Sequence, residues 1–235
     1  MPMKIEVLFP ELCNLFGDLF NVKYLQACLP QAQRIDTPLT GEPLFLKEAP
    51  SLIYMGPMSE RSQEKVIAQL RPCRDRLEEL IANGTAFLLT GNAMEVLGDW
   101  IENEDGSRIQ GLGLLPVTAK RDMMHRHNSV FLGQWQGEEI TGFKSQFTMA
   151  QPGGEAQGLF QVKKGVGLNK SCGFEGLRRG NLFATYVLGP VLVLNPGFAK
   201  SVLEAMGAGE AELAYGEAAR EAYRQRVRDF HEKLM

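Results

Sequence analysis

Short apolar runs punctuate the first hundred residues, separated by polar turn residues. Met3 to Phe9, Gln33 to Asp36, Ser51 to Met55 and Thr85 to Leu89 read as strands. Between them lie helical patterns. Asn21 is placed to cap a helix running to about Leu29, with Val22, Leu25 and Cys28 on one face. Ser59 is placed to cap another, with Val66, Ile67 and Leu70 inward. Pro72 interrupts that pattern, and a second helical piece follows with Leu77, Leu80 and Ile81. Apolar strands alternating with amphipathic helices predict a mostly parallel sheet covered on both faces.

The second half reads differently. Val117 to Thr118, Ser129 to Leu132, Glu139 to Phe143 and Leu159 to Val162 are short strand candidates with polar turns between them. They predict antiparallel additions to the sheet. Ala184 to Leu188 is apolar again, and Asn195-Pro196 opens a helix containing Phe198, Val202, Leu203 and Met206. From Glu210 onward the pattern predicts a charged amphipathic helix packed on its own domain. With no repeat and no linker, residues 1–235 read as a single domain.

The stretch from Thr85 to Gly98 organises the rest. An apolar strand runs into Thr90-Gly91-Asn92, and Met94, Val96 and Leu97 then begin a helical pattern. In α/β enzymes a strand–turn–helix junction commonly exposes a nucleophile above the carboxyl edge of the sheet. Here the turn residue is Gly91, which carries no side chain.

Charge and composition narrow the function classes. The net charge is -3, with Lys and Arg spread along the chain. That excludes the concentrated basic face of a nucleic-acid binder. No apolar run reaches the roughly 18 residues of a membrane span, and the N-terminus opens into a strand without a signal-peptide pattern, so a cytoplasmic protein is expected. Cys13, Cys28, Cys73 and Cys172 are scattered and form no metal-binding spacing. His125 and His127 are read as part of a solvated loop rather than a metal site. Neither a cofactor nor a metal is expected.

Several stretches, in order, resemble class I glutamine amidotransferase domains of the cobyric acid synthase type, and in particular the glutaminase subunit of lipid II isoglutaminyl synthases. Leu8 to Asn21, L-F-P-E-L-C-N-L-F-G-D-L-F-N, is similar to the opening of that family. So are Gly111 to Leu115 followed by Thr118, Ile140 to Phe143, and Gly165 to Asn169 with Phe174-Glu175-Gly176. Thr185-Tyr186, Gly189-Pro190 and Asn195-Pro196 complete the series. The resemblance implies a flavodoxin-like three-layer αβα sandwich. It also implies hydrolysis of glutamine by a cysteine thiolate on the elbow, with a histidine moving the proton.

Matched to the family motifs, Gly91 stands at the cysteine and Leu188 at the histidine. The family's oxyanion loop is replaced by Met55-Gly56-Pro57-Met58-Ser59, where Pro57 removes a backbone donor. Glycine cannot form a thioester and leucine cannot carry a proton. Three readings stay open. The first is a non-catalytic subunit of an amide-forming synthetase, Mur-ligase-like or cobyric-acid-synthase-like, in cell-wall or cobalamin chemistry. The second is an active amidotransferase with a relocated nucleophile, for which Cys172 is the candidate. The third is a sensor of glutamine or a related amide, with Gly56, Asn92 and Tyr186 as pocket candidates. The first is taken as the working expectation.

Overall fold

The computed structural model describes residues 2–233. The first half follows the sequence pattern closely. β1 (Lys4–Leu8), α1 (Phe20–Cys28), β2 (Gln33–Thr37), β3 (Leu52–Met55), α2 (Glu60–Leu70), α3 (Arg74–Ala82) and β4 (Ala86–Thr90) succeed one another. A one-turn α4 (Ala93–Val96) follows β4. Next come β5 (Trp100–Glu102), β6 (Arg108–Gln110), β7 (Val117–Arg121), β8 (His127–Trp135), β9 (Glu138–Gln146), β10 (Thr148–Pro152) and β11 (Gly158–Lys164). β12 (Phe174–Arg179), β13 (Leu182–Thr185), α5 (Val191–Leu194), α6 (Pro196–Ala205) and α7 (Gly216–Lys233) complete the described chain.

Nine strands form one sheet in the order β2-β1-β3-β4-β13-β12-β11-β8-β9. The block from β2 to β13 is parallel, and every pairing from β13 to β9 is antiparallel. The remaining four strands form a smaller sheet, β10-β7-β5-β6.

Alternation along the strands divides the core into two layers. Ile53, Met55, Phe87 and Leu89 face α2, α3 and the small sheet. Leu52, Tyr54, Ala86 and Leu88 face α1, α5 and α6. On that second side Trp135, Phe160, Phe183 and Phe198 meet edge to face, with ring centres 5.0–6.2 Å apart.

A nine-residue edge strand invites pairing with another chain. β9 is covered instead by three different groups. The Tyr223 hydroxyl takes the Glu139 N–H at 3.1 Å and donates to the Glu139 carbonyl at 2.9 Å. The Asn195 side chain does the same for Thr141, at 2.8 and 2.9 Å. The Leu188 backbone pairs with Phe143.

Several local expectations are corrected. Asn21 lies inside α1, which begins one residue earlier. Its side chain donates to the Asp18 carbonyl and accepts the Leu192 N–H at 2.9 Å. A polar residue that looks like a local cap is recruited by a distant segment. Residues 210–215 are not helical, and α7 starts only at Gly216. His127 belongs to β8, half-buried against Ser129, rather than to a solvated loop. Ser59 does cap α2, accepting the Ser62 N–H at 3.3 Å.

Candidate functional site at the strand–helix elbow

β4 ends at Thr90, and the chain turns at Gly91 with φ +59°. That left-handed conformation is open to glycine and disfavoured for other residues. A second constraint is steric. A Cβ added at Gly91 would stand 2.5 Å from the Pro57 Cβ. The elbow position is therefore both without a nucleophile and closed over by a proline ring.

The segment carrying Pro57 is held there by the next elbow residue. Asn92 Oδ1 accepts the Met58 N–H at 3.0 Å, and Asn92 Nδ2 donates to the Met58 carbonyl at 2.8 Å. Just upstream, a Cβ at Gly56 would stand 2.5 Å from the Cys13 carbonyl oxygen. The first loop thus packs directly on the loop after β3.

That first loop is anchored from below by Asp18, which is 1% exposed. The Tyr54 hydroxyl donates to Asp18 Oδ2 at 2.7 Å, and Thr90 Oγ1 donates to the same oxygen. Burial pushes the Asp18 carboxyl above its ordinary range, against the pull of these donors.

α4 contributes a second buried carboxylate. Glu95 accepts from Tyr186 Oη at 2.7 Å, from Gln63 Nε2 at 2.8 Å and from Thr148 Oγ1. Burial raises its pKa as well. Gln63 Oε1 in turn accepts from Arg121 Nη2 at 2.8 Å. Tyr186 and Glu95 together lock the elbow helix to β13 and to the small sheet. A third buried carboxylate, Glu175, accepts from Thr185 Oγ1 and from the Tyr186 N–H at 2.9 Å, with Lys144 Nζ 3.8 Å away. Desolvation raises Glu175 and lowers Lys144. The sequence pattern flags none of these three carboxylates as buried, because their donors come from distant segments.

Above the elbow lies a cleft of about 120 Å³, lined by Phe16, Pro57, Gly91, Asn92, Arg126 and Gln146 among others. Of the predicted pocket residues, Asn92 lines it. Gly56 and Tyr186 are buried and are not part of its lining. Leu188 is 1% exposed, paired through its backbone to Phe143, and is not part of the lining either. Gly91 and Leu188 follow adjacent parallel strands, β4 and β13, and of the two only Gly91 lines this cleft.

The other thiols sit apart. Cys172 is half-buried against the apolar core and does not line the cleft. Cys13 is fully buried beside Met58 Sδ, and burial pushes its thiol up to about 12. The His125 imidazole faces Asp122 at 2.9 Å.

The sequence profile of the CobB/CobQ-like glutamine amidotransferase domain matches residues 4–195, from β1 to the start of α6. The chain belongs to this family. Lipid II isoglutaminyl synthase (glutamine-hydrolyzing) subunit GatD of Streptococcus pneumoniae is 23% identical over 206 residues, covering 84% of this chain and 77% of that protein. The subunit of the same name from Staphylococcus aureus is 26% identical over 157 residues, 65% of this chain. There the match spans 62% of the relative's own length.

Solved structures of this amidotransferase fold superpose on the chain. One glutamine amidotransferase gives a TM-score of 0.56 at 14% identity, covering 86% of this chain and 98% of that one. PurLQS from Thermotoga maritima gives 0.57 at 11% identity, covering 97% and 100%. The amidotransferase domain thus has the flavodoxin-like class I architecture, a mixed central sheet built on a parallel block of five strands and flanked by helices. No described helix is long and apolar enough to cross a membrane.

Proposed function

We propose that this amidotransferase domain does not hydrolyse glutamine and serves as a non-catalytic subunit of an amide-forming synthetase. The observation that carries the reading is the contact between Pro57 and Gly91. A glycine at the nucleophile position removes the thiol. A proline ring where that side chain would stand removes the space for one. Leu188 at the histidine position withdraws the proton carrier, and Pro57 also withdraws a backbone donor from the oxyanion loop. Fold alone does not set function, and this site lacks the groups of its chemistry.

The relatives from Streptococcus pneumoniae and Staphylococcus aureus carry names that describe a subunit of a larger synthase. That supports a partner enzyme for this chain, Mur-ligase-like or cobyric-acid-synthase-like, within cell-wall or cobalamin chemistry. The cytoplasm, where such synthetases find ATP and soluble donors, is the proposed location.

The test is intact-mass analysis of the full chain after incubation with a glutamine-like electrophile. We expect no adduct. An adduct mapped to Cys172 and lost in Cys172→Ala would replace this reading with a relocated nucleophile. Saturable heat on mixing glutamine, without an adduct, would replace it with a ligand sensor.

A further inference from the structure

The outer edge of β9 is covered residue by residue at Glu139, Thr141 and Phe143, and the covering stops at Ser145. The alternation that turns those three residues outward turns Ser145 outward as well. Among the described residues, no backbone group is bonded to its N–H or C=O on that edge, and its hydroxyl donates to Asn128 Oδ1 at 2.7 Å. Two surface clefts, of about 120 and 370 Å³, share Ser145 and Phe16 in their linings.

The next residue is unsatisfied. Gln146 is 8% exposed and lines the smaller cleft. Its Nε2 donates to the Thr148 carbonyl at 2.6 Å, while its Oε1 is buried without a hydrogen-bond partner. A buried acceptor left empty is costly, and it asks for an N–H or O–H from outside the chain.

The rim is apolar. Leu15, Phe16, Val130 and Phe143, which line the two clefts, make up four of the nine large apolar side chains exposed among the described residues. The Phe16 and Phe143 rings meet edge to face at 5.9 Å. Phe16 is 48% exposed and held at φ 60°, a strained conformation for an aromatic residue. Charge is biased too. In a chain of net charge -3, Glu60 is the single carboxylate lining either cleft. Arg126 lines the smaller one, its guanidinium 4.4 Å from the Phe147 ring centre and hydrogen-bonded to no described side chain.

We propose that this slot takes an extended segment of a partner protein, added to β9 at Ser145 as a short strand. The segment's backbone pairs with the Ser145 N–H and C=O, and the Gln146 amide, whose Oε1 is buried in the free chain, turns into the cleft it lines to accept from one of its N–H or O–H groups. An apolar side chain rests on Phe16 and Phe143, and a carboxylate reaches Arg126. Strand addition of this kind draws affinity from the backbone and specificity from the flanking side chains. The inference rests on the subunit reading and adds where the partner sits.

The test is NMR titration of the ¹⁵N-labelled full chain with a blocked hexapeptide of alternating valine and threonine, carrying a central phenylalanine and C-terminal aspartates. The control is the same peptide N-methylated at every second amide. We expect the Ser145 amide and Gln146 side-chain amide signals to shift, and the unmethylated peptide to bind about tenfold tighter or more. Ser145→Pro removes an outward N–H at a strand edge together with the exposed hydroxyl bond to Asn128, and Phe16→Asp suits the φ that Phe16 already adopts. Both variants keep the parent's melting behaviour and lose the peptide.

Equal shifts with both peptides, or none at Ser145, overturn the proposal. Sedimentation showing a self-associated chain that Phe16→Asp dissociates also overturns it, by giving the slot to a second copy. Co-purification with a synthetase that survives both substitutions overturns the location and leaves the subunit reading standing. Peptide capture at Ser145 by a chain that hydrolyses glutamine supports the slot and defeats that reading.

Discussion

Gly91 is fixed from two directions, by its own φ of +59° and by the Pro57 ring 2.5 Å from where a Cβ would stand. The two constraints separate in a double-mutant cycle. Gly91→Ala in the parent should cost about 3 kcal/mol, from left-handed strain plus overpacking against Pro57. In a Pro57→Gly background the second part disappears, and the cost should fall to about 1–2 kcal/mol. Urea unfolding of the four proteins measures both. Equal costs in the two backgrounds would show that Pro57 yields freely and does not close the elbow. The same contact predicts that Gly91→Cys with Leu188→His would not by itself rebuild a thiol–imidazole pair. Glycine at the turn is legible in the sequence. Its collision with Pro57 is not, because those two residues meet only through the pairing of β3 with β4.

At the scale of elements, the elbow helix and the sheet edge are each held by polar groups from far along the chain. Glu95 ties α4 to Gln63, Thr148 and Tyr186, and burial raises its folded-state pKa above the ordinary 4.5. The fold therefore prefers the protonated form. That contribution to stability is fully present below the ordinary value and is lost as pH rises through the folded pKa. Glu95→Gln has no such titration, and the Thr148 and Tyr186 hydroxyls can rotate to accept from its amide. Urea melts at about pH 5 and about pH 8 should show a smaller loss of stability with rising pH in Glu95→Gln than in the parent. An unchanged difference would mean that Glu95 is ionised in the fold without penalty.

At Glu139 the edge of β9 is covered by one hydroxyl from α7. Tyr223→Phe removes both of its bonds to Glu139 and should cost about 1–3 kcal/mol, with faster hydrogen exchange at the Glu139 amide. An unchanged exchange rate would show that water replaces Tyr223 at no cost. Sequence pattern finds β1, β3 and β4 because buried parallel strands are continuous apolar runs. It misses β5, β6, β10 and β12. The first two are three residues long, and F-E-G-L-R-R and T-M-A-Q-P mix polar groups into half-covered strands. It also shortens β8 and β9, whose ends carry polar residues that interrupt the apolar run.

Across the whole molecule, the amidotransferase architecture is present, and at its strand–helix elbow Pro57 stands over Gly91. The parallel block places the elbow at the carboxyl edge, and the two apolar layers hold it there. What surrounds the elbow is structural chemistry: a proline over the glycine, an asparagine clamp on Met58, and buried carboxylates saturated with donors. The ordered motifs made the family legible from sequence, and Gly91 and Leu188 are the positions on which the proposed loss of chemistry rests. The closure of the site required the structure.

The central claim is that this domain turns over no glutamine. The most direct measurement is ammonia release from glutamine by the purified full chain at neutral pH, alone and with a candidate synthetase. The account predicts release no faster than from a heat-denatured control in both cases. Sustained release above that control, abolished by Cys172→Ala or by any single substitution in the cleft, would contradict it.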